Sequence, residues 1–286
     1  MLKTGILSTA YFGFNDFEQG MKKLRSHGYD GFDYQGLVSI VNSPIYTMSE
    51  GAAERYLTEV KDCAKANGLE IYQLHGAWPH VEDSTKEGRE QTIAYFKKDI
   101  VFAKMLGCPN VIVHPCMPRL CSGDAVEKED FALNTHLLQS LAPVAEEYGV
   151  TVCFENMPFP VGSYFSKVSN VKKLLQEIGN PYIKACLDTG HFNVEKGDVC
   201  QAITLLGDDL VALHIHDDKN GQDRHLLPFQ GELDWNGFVQ GLQNISYQGF
   251  LSLETQIQRS TPEPILEEMR LCLSKIAKWL AQKIEE

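Results

Sequence analysis

An eightfold alternation constrains this chain more than any other feature. Short β-branched or apolar runs, namely TGILST, DGFDY, EIYQLHG, NVIVHP, TVCFEN, IKACLDTGH, LVALHIHD and GFLSLET, are separated by stretches with helical period. The helical stretches fall near 15–27, 49–67, 85–106, 126–148, 168–178, 198–206, 235–243 and 263–283. Gly28, Gly68, Gly107, Gly149 and Gly179 follow five of them, where a left-handed residue closes a helix. Strand-then-helix units make parallel strands, and no Gly-rich dinucleotide turn follows the first run. The expected fold is therefore a closed (β/α)8 barrel forming one domain over residues 1–286, rather than a doubly wound open sheet.

In such barrels the chemistry comes from the C-terminal ends of the strands. Here the third to eighth runs end in His75, His114, Glu155, Asp188 with His191 just beyond, His214 with His216, and Glu254. Any one of these has an ordinary structural explanation. Together they crowd ionisable groups into one barrel mouth, where they repel or desolvate one another unless a cation or substrate compensates. His214 and His216 share a strand face because side chains at i and i+2 do. The stretch LHIHDDKNGQDRHLLP adds Asp223, Arg224 and His225, and reads either as part of a metal site or as a solvated acidic loop. Its tail, with Pro228 and Gly231, reads as a turn-rich rim loop.

The bulk numbers narrow the partners. With 43% hydrophobic residues, 286 residues can bury a large core, and the net charge of -12 leaves no footprint for nucleic acid or an anionic membrane. A small-molecule substrate fits better. MLKTGILSTAYFGFND is too briefly apolar for a secretory signal or membrane span, so a cytoplasmic protein is expected, and homo-oligomerisation is compatible with this reading. The eight cysteines lack the density of a disulfide scaffold, and Cys116 with Cys121 is too small a set for a zinc site of its own.

The segments FEN, CLDTGH, HIHDD and LSLET, in this order, resemble the sugar isomerase and epimerase superfamily, whose TIM barrels include xylose isomerase and, more distantly, endonuclease IV. The resemblance covers nearly the whole chain. It implies one divalent ion (Mn2+, Zn2+, Co2+ or Mg2+) held by Glu155, Asp188, His214 and Glu254. Glu155 and Glu254 would also be the general acid and base, moving a proton next to the carbonyl of a small keto sugar or polyol derivative. His75, His114, His191, His216, Arg224, His225 and Trp78 would face the substrate, with Tyr11, Phe12 and Phe14 as apolar walls.

Two alternatives come with the resemblance. Endonuclease IV uses a larger set for three zinc ions, and this chain offers His75, His114, Glu155, Asp188, His191, His214, Asp223, His225 and Glu254 for that role. Dehydration of an inosose-like substrate would share the same enolate. The chain departs from the ketose 3-epimerases at Asn220, where they carry an arginine, and at Val161, where they carry a glutamate. Arg224 could compensate from the same loop, and no basic phosphate cradle follows the seventh and eighth runs, which favours an unphosphorylated substrate.

Overall fold

The computed structural model describes residues 1–40, 43–117, 124–158, 164–257 and 260–286. Eight parallel strands form the barrel, running β10-β1-β2-β3-β4-β5-β6-β7 around its wall. In chain order these are β1 (Thr4–Leu7), β2 (Gly31–Tyr34), β3 (Glu70–His75), β4 (Asn110–Val113), β5 (Thr151–Glu155), β6 (Ile183–Asp188), β7 (Leu210–His214) and β10 (Leu251–Leu253). The wall closes where Ile215 pairs in parallel with Leu253. There the Ile215 amide donates to Ser252 O at 2.8 Å and the Glu254 amide to Ile215 O at 2.9 Å. Closure leaves no free sheet edge, so the single (β/α)8 TIM barrel expected from the alternation is the observed fold.

Helices α1 (Phe17–Ser26), α2 (Glu50–Ala66), α3 (Lys86–Leu106), α4 (Asp124–Tyr148), α5 (Val168–Ile178), α7 (Val199–Leu206), α8 (Trp235–Asn244) and α9 (Glu263–Glu285) surround the strands. All five glycines picked out as helix stops have positive φ, from +59° at Gly179 to +88° at Gly28. Leu, Ile, Val and Phe side chains of strands and helices meet in one continuous apolar shell between wall and helices.

Two elements depart from the sequence reading. Residues 189–194, for which no helix was expected, form the short helix α6 (Thr189–Val194), capped by the Asp188 carboxylate accepting the His191 amide at 2.7 Å. The stretch read as part of a metal site or as a solvated acidic loop contains a β-hairpin of β8 (Asp217–Lys219) and β9 (Gln222–Leu226), and the turn-rich segment with Pro228 and Gly231 follows it. Asn220 (φ 59°) and Gly221 (φ 63°) make the hairpin's two-residue turn, since tight hairpins need two left-handed residues and Asn-Gly adopts them at least cost.

The barrel interior has two unlike halves below the mouth. On β4 to β7 the inward positions under the mouth are apolar: Ile112, Cys153, Cys186 and Ala212 form their own cluster. On β2, β3 and β10 they are polar: Asp33, Gln73 and Ser252, all buried. Every described cysteine is a free thiol, with Cys108, Cys116, Cys153 and Cys186 buried. Cys121 and Val161 lie outside the described residues. Among the described residues no helix is long and apolar enough to cross a membrane.

Candidate functional site

The ends of β5, β6, β7 and β10 bring Glu155, Asp188, His214 and Glu254 together, with one ligand atom of each lying within 4.8 Å of all the others. Strand alternation does this. Glu155, Asp188 and His214 each sit two residues beyond the small inward residues Cys153, Cys186 and Ala212, so all three point along the barrel axis. At the centre is His214, fully buried, with Nδ1 at 2.9 Å from Glu155 Oε1 and 2.8 Å from Glu254 Oε2. Its other nitrogen, Nε2, lies 3.0 Å from the carboxylate of Asp33 on β2. Three buried carboxylates around one imidazole carry more negative charge than the ring can neutralise. Glu155 Oε2, buried, has no well-aligned hydrogen bond, and its near polar neighbour is His114 Nε2 at 3.2 Å. A divalent cation fits this donor set in both ligand type and charge.

The electrostatics follow from that crowding. Burial works against every charge here, yet the Glu254 and Glu155 carboxylates hold His214 well above the usual histidine range. Burial likewise opposes the charge on Glu155 and Glu254, but the facing His214 keeps both well below the usual carboxylate range. For His114, burial prevails and pushes the imidazole down to about 4.

A second cluster sits beside the first, made of His191, His216, Asp223 and His225, again with ligand atoms within 4.8 Å of one another. His191 comes from α6, held by Nδ1 against Asn156 O at 2.9 Å, while Asp223 and His225 come from β9. The His216 and His225 rings stack at 4.0 Å. Asp188 joins the clusters, because His216 Nε2 lies 2.9 Å from its carboxylate. Against the cost of burial, neighbouring carboxylates raise His191 to about 10 and His225 to about 9.

The remaining residues singled out from sequence fall as follows. His75 lies parallel to His214 at 5.4 Å between ring centres, and His114 Nε2 lies 3.2 Å from Glu155 Oε2. Trp78 packs on His114 at 4.4 Å, which places it at the mouth. Arg224 is exposed on β9 with its guanidinium bonded to Gln222. Phe12 and Phe14 line a cavity of about 170 Å³ with Ser8, Thr9, Tyr34 and Gln35. Tyr11 does not join them; its hydroxyl bonds His27 Nδ1 at 2.7 Å and its ring meets Arg270 on α9.

Three polar residues around the clusters were missed from sequence. Asp33 bonds His214 from below. Asn156 locks β5 to β6, donating to Asp188 O and accepting from the Asp188 amide at 2.9 Å. Asp218 accepts the His225 amide at 3.0 Å and anchors the hairpin. Only Asp33 carried a signal: an aspartate inside the apolar run GFDY has no solvent to face and must have a partner.

Known proteins share this arrangement of chain. A D-psicose 3-epimerase of Enterocloster bolteae is 26% identical over 246 residues, covering 84% of this chain and 77% of that protein. An uncharacterised protein of Sinorhizobium fredii is 28% identical over 174 residues, and the match spans only 55% of its length and 60% of this chain. Among solved structures, a D-psicose 3-epimerase with D-tagatose from Clostridium cellulolyticum superposes with a TM-score of 0.80 at 19% identity, covering 98% of this chain and 99% of the other, a likeness of fold. The family model described as xylose isomerase-like TIM barrel matches residues 21–276, so the barrel and its chain order place this protein within that family.

Proposed function

We propose that the chain is a metal-dependent sugar epimerase or isomerase that moves a proton next to the carbonyl of a small, unphosphorylated keto sugar or polyol derivative. The observation that carries this reading is the convergence of Glu155, Asp188, His214 and Glu254 at four strand ends. One divalent ion held there would polarise a carbonyl and an adjacent hydroxyl, lowering the cost of removing the intervening proton. The rest falls to the chain's own side chains. Glu155 and Glu254 enter from β5 and β10, separated by β6 and β7, so each can reach a different part of a bound substrate. One carboxylate removes the proton and the other returns one. Return to the same carbon inverts it, and return to its neighbour exchanges aldose and ketose. His75, His114, His191, His216 and His225 supply hydrogen bonds to hydroxyls, Trp78 supplies an apolar wall, and Arg224 reaches the substrate only if it leaves Gln222. The epimerase relatives support this reaction class. One barrel domain over residues 1–286 and a cytoplasmic location belong to the same proposal, which is compatible with homo-oligomerisation.

A second reading is favoured by two further ligand groups, His191 with His216, Asp223 and His225, and His75 with Glu155 and His214, the latter sharing Glu155 and His214 with the first cluster. Such a set suits a three-zinc phosphodiesterase of the endonuclease IV type. The net charge of -12 argues against a duplex DNA substrate. The deciding experiment is metal analysis of the purified protein and its Asp188→Asn variant, with assays on keto sugars, an inosose and abasic-site DNA. One ion per chain, lost in the variant, with sugar turnover, is the expected result. Three zincs with DNA cleavage would establish the second reading, and unchanged metal content in Asp188→Asn would sink the ligand assignment.

A further inference from the structure

Asp33 lies on β2 beneath the mouth, with no solvent exposure, and takes no part in the ligand groups. Burying a carboxylate without compensation is strongly unfavourable, so its partners define its purpose. Its Oδ2 accepts from Gln73 Nε2 at 2.8 Å and lies 3.0 Å from His214 Nε2, while Oδ1 has no partner. Gln73 is itself held in place: Tyr72 OH donates to Ser252 Oγ at 2.8 Å, and Gln73 Nε2 lies 3.4 Å from that same Oγ. Asp33 is thus the end of a fixed polar chain across the β2, β3 and β10 half of the barrel, and that chain terminates on one nitrogen of one histidine.

That histidine has a choice of tautomer. Only Nδ1 faces Glu155 and Glu254, and it can donate its lone pair to an ion only when the ring proton resides on Nε2. A carboxylate on the far nitrogen holds the proton there, fixes the ring's rotation and raises its donor strength. The parallel His75 ring, 7° from the plane of His214, leaves the ring little room to twist.

We propose that Asp33 is a positioning residue that holds His214 as the Nε2–H tautomer and so makes Nδ1 the metal-binding atom. The proposal rests on the metal-binding reading above and is independent of which substrate is turned over. Protein labelled with 15N-histidine and loaded with 113Cd2+ tests it by NMR, the His214 signal being assigned from its loss in His214→Asn. The expected spectrum shows 113Cd coupling to Nδ1 and a proton on Nε2. In Asp33→Asn, Cd2+ affinity measured against a competing chelator should fall about 10- to 100-fold, with His214 shifting to a mixture of tautomers. Coupling through Nε2, or an affinity in Asp33→Asn within about twofold of the parent, would overturn the proposal. Because the wild-type spectrum reads the bound nitrogen directly, a poorly folding variant does not block the test. Absence of any 113Cd coupling to His214 in the parent would remove the metal reading and this proposal together. Coupling to Nδ1 without turnover of any sugar would leave Asp33's role intact and count against the epimerase reading alone.

Discussion

The two histidine-rich clusters differ in what they are built on. Glu155, Asp188, His214 and Glu254 are at the ends of barrel strands and are buried, with Glu155 and Glu254 tied to each other through His214. The second cluster draws Asp223 and His225 from the β8–β9 hairpin, where Asp223 is exposed and His225 half-buried, and His191 from the six-residue helix α6. Strand ends in a closed barrel are held by ladder bonds on both sides, whereas a two-stranded hairpin is marginal by itself. The first cluster is therefore preorganised and the second depends on loop packing. This division suits an ion site overlain by a more adjustable substrate cover, and mutations can test it one side at a time.

The largest effect should come from the rigid side. Glu155→Gln keeps the shape of a buried side chain but removes both a charge and a proton carrier. Turnover of a responsive keto sugar should fall by about 10²- to 10⁴-fold, with metal affinity also reduced. A steady-state rate within tenfold of the parent would show that Glu155 is not the acid or base.

An intermediate effect is expected from the adjustable side. In the double variant Asp223→Ala, His225→Ala, one tightly bound ion should remain and sugar kcat/KM should drop by roughly tenfold, the scale of losing one or two polar contacts. Metal counting beside the kinetics checks this. If instead the ion count falls from three to two and DNA cleavage disappears, the two clusters form one multinuclear centre and the contrast between them is false.

The smallest effect on either cluster should come from Asp99 on α3, which is buried and braces the mouth from outside. Its carboxylate accepts from Tyr46 OH at 2.7 Å and from the Ala77 amide at 2.9 Å, joining two rim segments. Burial raises it from 3.8 to about 7, although both hydrogen bonds pull the other way. A carboxyl raised in the folded state favours folding in its neutral form. That contribution is complete below about pH 4 and is lost as the pH rises through about 7. Asp99→Asn cannot ionise, so its stability should vary less than the parent's across that window, by on the order of a few kcal/mol. Denaturant melts at pH 5 and pH 8 measure it, and a parallel pH dependence in both proteins would contradict the assignment. Metal affinity should stay unchanged, because Asp99 touches neither cluster.

Much of this molecule was legible in the chain itself. Strands, helices and their glycine stops follow from local periodicity and backbone preference, which is why the eight units and all five left-handed glycines were found by reading alone. The gathering of strand-end side chains at one mouth was legible for the same reason, since a parallel barrel turns position at a strand end into position at the mouth. Helix α6 and the β8–β9 hairpin were not, because six residues and a three-residue strand are too short to show a period. Arg224 was read as a substrate contact from its place in the loop, but its guanidinium direction is set by Gln222 in the folded hairpin.

The sequence by itself determined the barrel, the mouth where the candidate site lies and the residue types gathered there. Only the tertiary structure decided which atoms of those residues meet. Asp33 and His214 are 181 positions apart, and no local pattern links them; closing the barrel brings β2 opposite β7 and sets one carboxylate oxygen against one imidazole nitrogen. Periodicity is a property of neighbouring residues and survives in the linear chain. A contact across a closed wall exists only once every strand between its partners is in register, and so it is written in the fold.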